Sequence, residues 1–438
     1  MKSILVSKRT LRSSVAGAIL AVLSIPAGAI DLKNADGSWT FSFNGEINVD
    51  YIYSSCETPS QAASIAGGLT CVGSASGTNV SNVGNGLLPA AFSFGVATTQ
   101  DGIDLAAHLG LYPGIATNDG GSPNLQGTEN NGSTNTALGT TGLDIRQVYM
   151  TFGNKDMGTF TLGRNIGLFG ADVILNDMTL PGVGAPGSAA SPAPSNTTLG
   201  GIGFGYIYTD WLAQMDYTTP DMSGFAVTVG IFDPLNSLSD TGAVETKKAP
   251  GAHAKLTYTL AIAEGTKLYL SAAFLTQQQD YLAPTTPTPT SYSYNGTGAD
   301  FFAKFDLQDL ELIGYYYHAK GLGSTALFDG GAFDGGPTPG QTRTSSGYLG
   351  QVTYKFGPVK LGVNYGRSIL DYANAFDQAA NPDLLANNQK FTVGVYYSLT
   401  KALMLLAEGS RVESHSQDPT LPHTNGASTF NIGAYLGF

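Results

Sequence analysis

The sequence has little charge, few cysteines and no long apolar run. Charged residues make up 12% of the 438 residues, against about 25% in ordinary globular proteins. Beyond the first 29 residues, no stretch holds 18 consecutive apolar residues, which excludes a membrane-spanning helix there. The net charge of −12 argues against nucleic acid and anionic surfaces as partners.

The only two cysteines, Cys56 and Cys71, lie fifteen residues apart in a stretch rich in Gly, Ser and Ala. In an oxidising compartment such a pair favours a disulfide, which would contribute roughly 3 kcal/mol by the loop-entropy model. No histidine lies near them, and the five histidines show no metal-ligand spacing. We therefore predict a disulfide that staples a loop, and no metal or other cofactor.

Residues 1–29 have the organisation of a secretory signal peptide. An apolar run from Val15 to Ile25 follows a basic start, and the small residues 27–29 suit a signal peptidase. The alternative is an N-terminal anchor helix, but the run is short and ends at Pro26. Loss of the basic residues Lys2, Lys8, Arg9 and Arg12 takes the net charge from −12 to −16. We expect residues 30–438 to form one exported domain.

Residues 39–53, WTFSFNGEINVDYIY, alternate between an apolar and a polar face. A period of two over fifteen residues predicts a β-strand with one face in lipid and one in water. Fifteen further segments share the pattern. The predicted strands are 39–54, 89–99, 103–113, 142–153, 158–164, 211–219, 225–232, 251–262, 267–278, 298–307, 309–320, 346–356, 359–369, 389–399, 401–413 and 428–438.

Short turns between these strands alternate with long loops rich in Gly, Pro, Asn, Ser and Thr. Outer-membrane barrels have short turns at one end and long loops at the other. Strands of 9 to 11 residues suffice to cross a bilayer when they are tilted, and the sheet must close because hydrocarbon satisfies no backbone polar group. The fold class is therefore all-β, a transmembrane antiparallel up-and-down barrel of about sixteen strands.

Three segments, in order, resemble Gram-negative trimeric porins. Residues 146–165, RQVYMTFGNKDMGTFTLGRN, resemble the fourth and fifth strands of that family, and residues 166–182, IGLFGADVILNDMTLPG, its third loop. Residues 216–230, DYTTPDMSGFAVTVG, are similar to the segment that follows. The resemblance implies a homotrimer in the outer membrane, with loop 165–210 folded into the lumen. It also implies that the terminal Phe438 is the signal for the barrel assembly machinery.

In that family, carboxylates of the third loop face basic side chains across a constriction. The resemblance places Asp177, with Asp172 nearby, on the loop side. It places Arg146 on the basic ladder, pointing inward. Arg164 shares its strand face with apolar neighbours, so we expect it at the wall or a subunit contact near the root of the loop.

Acidic residues stand where the family has basic ones. Glu46 occupies the place of a common lysine, and Asp50 lies on the same polar face. A narrow passage with walls of low dielectric amplifies such an imbalance. We therefore predict modest cation selectivity.

The predicted function is passive diffusion of ions and small hydrophilic solutes. A substrate-specific channel is the alternative; it would need a continuous aromatic track, for which Tyr112, Tyr269, Tyr396 and Tyr435 point inward. A barrel hydrolase or a loop-presenting adhesin is a further alternative. The one segment resembling a nucleophile elbow, GSASG, has Ala75 in place of the nucleophile, so we predict no enzyme.

Overall fold

The structure is a computed structural model that describes residues 30–57, 65–70, 79–115, 143–186, 197–236, 244–245, 248–283, 290–333, 335–418 and 424–438. Sixteen long strands form its barrel. They are β1 (Trp39–Cys56), β2 (Ala91–Gln100), β3 (Ile103–Pro113), β4 (Leu143–Asn154), β5 (Gly158–Ile166), β6 (Trp211–Thr218), β7 (Phe225–Phe232), β8 (Gly251–Ala263), β9 (Thr266–Ala283), β10 (Thr290–Leu307), β11 (Leu310–Lys320), β12 (Thr344–Phe356), β13 (Val359–Asp371), β14 (Leu385–Ser398), β15 (Leu403–Ser416) and β16 (Thr424–Gly437).

Each strand pairs with the next in antiparallel fashion, and the last pairs with the first. The β1–β16 register runs from Glu46 opposite Gly437 to Cys56 opposite Ala427. Next to the Glu46–Gly437 pair, the backbone N–H and C=O of Phe438 both bond to Gly45. The ring is therefore closed, and the predicted sixteen-stranded up-and-down barrel is confirmed.

The connections alternate in length as predicted. The β2–β3 turn has positive φ at Asp101 (50°) and Gly102 (79°), as a two-residue hairpin turn requires. At the other end lie the long loops, of which L1 (57–90), L3 (167–210), L6 (321–343) and L7 (372–384) are used below. L3 contains the short helix α1 (Ala171–Asn176), and L7 contains α2 (Ala375–Ala380).

Burial alternates along the strands with the predicted facing. In β1, Ile47, Val49 and Tyr51 are 38–43% exposed on the outer surface, whereas Glu46 and Asp50 are buried on the inner one. The final strand follows the same rule, with Phe430, Ile432 and Leu436 exposed and Asn431 and Tyr435 buried. An apolar outer surface and a polar inner one are what a lipid-embedded barrel requires.

Within the described residues, five short strands add to the ends of the barrel and to its loops. Ile30–Lys33 and Asn79–Gly84 pair with β1, and Val244–Glu245 pairs with β9. Ala332–Phe333 and Gln341–Thr342 form a hairpin within L6. None of these was predicted, because two to six residues are too few to show a period of two.

The loops share an apolar core with inward-facing side chains of the barrel wall. Tyr206 and Ile207 of L3, Leu322 and Phe328 of L6, and Leu87 of L1 are 0–4% exposed and belong to one cluster. L3 and L6 also join through a hydrogen bond from the Tyr208 N–H to the Thr325 carbonyl, 2.8 Å long. The loops are therefore packed against one another.

L6 and L7 are joined by a buried ion pair. The guanidinium of Arg343 donates to both carboxylate oxygens of Asp377 at 2.7 and 2.8 Å. Burial alone would raise the pKa of Asp377, but the hydrogen bonds from Arg343 and from the Ala373 N–H lower it below its usual value. The pair therefore stays ionised at neutral pH.

In the described part of the chain, no helix is long and apolar enough to cross a membrane. The predicted signal peptide, residues 1–29, lies outside the described residues and stays a prediction. Cys71 also lies outside them, whereas Cys56 is buried at the end of β1. The Cys56–Cys71 disulfide likewise stays a prediction.

Candidate pore and its lining

L3 enters the lumen and follows the inner wall. The Gly170 N–H donates to Asp300 of β10 at 2.6 Å, and the Met178 N–H donates to Gln351 of β12 at 2.7 Å. Both acceptors belong to inward-facing side chains. L3 therefore lies inside the barrel, as the resemblance implied.

Glu408 of β15 holds the next part of L3. One carboxylate oxygen accepts the N–H groups of Val183 and Gly184 at 2.8 and 2.9 Å. The other accepts the Tyr396 hydroxyl at 2.6 Å. Glu408 is only 1% exposed, so this carboxylate fastens the loop to the wall and does not face water.

Asp177 anchors L3 in a similar way. Its carboxylate accepts hydrogen bonds from Thr179, Tyr206 and Asn364, and Lys390 Nζ lies 4.0 Å away. Burial and this carboxylate raise the pKa of Tyr206 well above its usual value, so its hydroxyl stays a donor. Asp177 lies on L3 as predicted, but it is only 3% exposed.

Asp172 lies closer to open space. It belongs to α1 and lies 3.3 Å from Lys255 Nζ of β8, and it accepts the hydroxyls of Tyr269 and Ser271 of β9 at 3.2 and 2.5 Å. Its side chain is 15% exposed and borders a cavity beneath L3. Of the two predicted loop carboxylates, Asp172 is the more accessible.

Glu46 and Asp50 point inward as predicted, but the expectation that they face water is wrong. Glu46 is 1% exposed and Asp50 is 0% exposed. L1 covers them: Asn48, which lies between them, accepts the Gly86 N–H at 2.7 Å and donates to the Leu88 carbonyl at 2.6 Å. A position on the inner face of a strand therefore does not ensure contact with water, because L1 occupies that part of the lumen.

Arg146 points inward because of a β-bulge. Gly110 pairs with Gln147 and Leu111 with Ile145, which leaves Arg146 as the extra residue. Its guanidinium lies 2.9 Å from Asp144 and over the ring of Tyr112, and it is 4% exposed. Alternation from the exposed Ile145 predicts this facing, whereas alternation from the exposed Val148 predicts the opposite one, because the bulge lies between them.

Arg164 lies in β5, where it pairs with Val148 and Ala213, and is half-buried. Its neighbour Asn165 is buried and accepts from the inward-facing Gln147, so Arg164 lies on the outer face. This agrees with a place at the wall; a subunit contact there stays a prediction.

A cavity of about 710 Å³ lies between L3 and the inner surface of β5 to β15. We call it the vestibule. It borders the short-turn end of the barrel, which is the periplasmic end in outer-membrane barrels. Its charged lining residues are Asp172, Asp177, Asp216, Asp306, Glu311, Lys255, Lys267, Lys304, Lys355 and Lys360.

The acidic residues of the vestibule are engaged, whereas three of its lysines are not. Lys304 lies 2.6 Å from Glu311 and 3.9 Å from Asp306, and Asp216 lies 2.7 Å from His253. No carboxylate of the described residues lies within 4.0 Å of the Nζ of Lys267, Lys355 or Lys360. The charged lining residues without an ion-pair partner are therefore lysines, although the lining has equal numbers of acidic and basic residues, five of each.

Sequence reasoning missed Lys267 and Lys355. The strand alternation itself places both on inner faces, since Lys267 has the parity of Tyr269 and Lys355 that of Gln351. The family pattern drew attention to the wall of β1 to β4 instead, where the second-strand ladder position is Ala91.

The four inward tyrosines do not form a continuous track. Tyr396 and Tyr435 share one apolar cluster, Tyr112 packs against Trp211 at 5.8 Å, and Tyr269 packs against Phe302 at 6.0 Å.

Within the described residues, no group of three or more His, Cys, Asp or Glu side chains could hold a metal ion.

A closed barrel with an apolar outer surface, a polar lumen and a loop folded inside defines an outer-membrane channel. The family model for the Gram-negative porins matches residues 15–417. The chain belongs to that family, whose members are non-enzymatic channels of the outer membrane. A search of curated protein sequences finds no match.

Solved structures of channels share the fold. The outer-membrane channel DcaP of Acinetobacter baumannii is 15% identical and superposes with a TM-score of 0.64, over 93% of this chain and 99% of that one. The anion-selective porin from Comamonas acidovorans is 12% identical, with a TM-score of 0.56 over 91% and 100%. OmpT of Vibrio cholerae, in a trimer form, is 13% identical, with a TM-score of 0.52 over 92% and 100%. At these identities the likeness shows the fold alone.

Proposed function

We propose that the protein is a passive diffusion channel for ions and small hydrophilic solutes. The observation that carries the proposal is the vestibule, an open charged cavity that adjoins an inserted L3 within a closed barrel. Polar walls replace part of the hydration of a solute, whereas lipid would remove all of it.

Planar-bilayer recording tests this function. The purified protein should give discrete steps with a linear current–voltage relation. Absence of steps from a correctly folded barrel would contradict the proposal and would favour an adhesin. Block by one solute and not by others of equal size would favour a substrate-specific channel.

The charge preference needs a separate proposal. Modest cation selectivity was predicted because Glu46, Asp50 and Asp177 were expected to face water, but these carboxylates are 0–3% exposed. The unpaired lysines of the vestibule support a weak preference for anions instead. Reversal potentials in a KCl gradient distinguish the two signs, and a cation preference would mean that the buried carboxylates dominate the field.

We also propose a homotrimer. The outer faces of β1 to β5, together with Ile30 and Leu32, border an apolar groove of about 750 Å³, which a second copy could cover. Cross-linking in native membranes should give a trimer band, and a barrel that stays monomeric there would contradict the proposal.

A further inference from the structure

Two lysines lie directly opposite each other on neighbouring strands of the vestibule. Lys355 of β12 pairs in register with Lys360 of β13, and both side chains line the cavity. Like charges directly opposite each other on one sheet face destabilise the pair. Such an arrangement needs a compensating partner.

In the described residues no carboxylate contacts either lysine, although Glu311 and Glu408 act on Lys360 from a greater distance. Neither Nζ lies within 4.0 Å of a carboxylate or makes a hydrogen bond, although nearby Lys255 and Lys304 each have an acidic partner. The Lys360 Nζ lies 5.0 Å from the centre of the Tyr396 ring, a contact that orients the ammonium without neutralising it.

We propose that Lys355 and Lys360 together bind one oxyanion, a carboxylate or a phosphate group of a small solute, at the periplasmic end of the lumen. Each ammonium has three donors, so two of them can hold different oxygens of the same group. Hydrogen bonds between ammonium and oxyanion are about twice as strong as neutral ones. The inference rests on the proposed channel function and adds a class of solute to it.

The position of the pair fits a site that a solute can reach and leave. Lys355 and Lys360 flank the turn at 357–358 that joins β12 to β13. An anion bound there would lie near the Glu311–Lys304 ion pair, since both of its members act electrostatically on Lys360. Conduction requires binding that is strong enough for entry and weak enough for exit; Lys355 is exposed to the cavity and Lys360 is half-buried, so a solute can reach the pair without losing all of its water.

Inorganic phosphate, added at low KCl concentration, is the probe for this site. We expect phosphate on the periplasmic side to block wild-type chloride current, and the Lys355→Gln/Lys360→Gln variant to need roughly tenfold more phosphate for half-block. The matched control is Lys267→Gln, which removes a lysine from the same cavity where Asp306 lies opposite in register. Lys267→Gln should change the half-blocking concentration of phosphate by less than about threefold, because salt in the solvent screens the charge of Lys267 from an anion held by Lys355 and Lys360.

The outcomes separate the site from general vestibule charge. Retention of block in Lys355→Arg/Lys360→Arg supports the site. Equal weakening in Lys267→Gln and in the double variant would overturn it, and so would wild-type conductance that phosphate never blocks. If wild-type protein gives no conductance at all, the channel function itself fails, which is a different result.

Discussion

Glu408 is the residue whose change tests most directly how L3 is held. Its carboxylate accepts two backbone N–H groups of L3 and the Tyr396 hydroxyl, all in a buried site. In Glu408→Ala these three donors lose their acceptor. Each buried donor left without a partner costs about 1–3 kcal/mol, so the expected loss is about 3–9 kcal/mol.

Glu408→Gln separates the charge from the hydrogen bonds. The amide oxygen can accept the Val183 and Gly184 N–H groups while the amide nitrogen donates to the Tyr396 hydroxyl oxygen. Neutral bonds are about half as strong as charge-assisted ones. We therefore expect a loss of about 2 kcal/mol, well below that of Glu408→Ala.

Urea titration of the refolded barrel, followed by tryptophan fluorescence, measures these changes. Glu413→Ala is the matched control, because Glu413 lies on the same strand and its ion pair with Arg411 is partly exposed. Such a pair contributes about 0–1 kcal/mol. A Glu408→Ala midpoint equal to that of Glu413→Ala would refute the anchoring role. Current noise of the open channel gives a second readout, since a released L3 should increase it.

Three further predictions concern other parts of the chain. The lowered pKa of Asp377 means that its ion pair with Arg343 contributes stability above the unfolded value of about 3.9 and loses it as the pH falls through the folded value; pepsin should therefore cleave L6 and L7 faster in Asp377→Asn than in the wild type at pH 4, and this difference should shrink as the pH is lowered further, whereas a difference that stays constant with pH would contradict the ion pair's role. Gly366→Ala should lower the free energy of unfolding by about 1–3 kcal/mol, because its Cβ would overlap an L3 carbonyl, whereas Gly350→Ala meets nothing within 4 Å and should change little; equal urea midpoints for the two variants would show that L3 does not lie against β13. Removal of Phe438 should reduce the folded yield in cells while refolding into detergent survives; equal losses in both would mean that the ring serves only packing.

The barrel could be predicted from the sequence because lipid outside and polar groups inside impose a period of two. The pattern does not locate a strand end where the contrast between the two faces disappears. β9 extends to Ala283 and β10 begins at Thr290, beyond the predicted 267–278 and 298–307. Their outer parts, QQQD and SYSYNG, lack the aliphatic side chains that mark a lipid-facing strand face.

The lumen could be predicted only in part. Parity gave the inward facing of Glu46 and Asp50, but burial depended on L1, and no local pattern says where a loop rests. Arg146 faces inward through a bulge that shifts the parity by one residue. The lysine pair depends on the β12–β13 register, which places Lys355 opposite Lys360 once the turn length is known.

The apolar core that L3 and L6 share connects the external loops of the protein to the loop inside its barrel. Phe328 of L6 is fully buried in the cluster that contains Tyr206 and Ile207 of L3, and one backbone hydrogen bond joins the two loops directly. An antibody fragment that pulls L6 outward must therefore either open this cluster or carry L3 with it. A force on L6 therefore acts on the loop that lines the passage. Exchanging L6 between porins would replace part of the packing that supports L3.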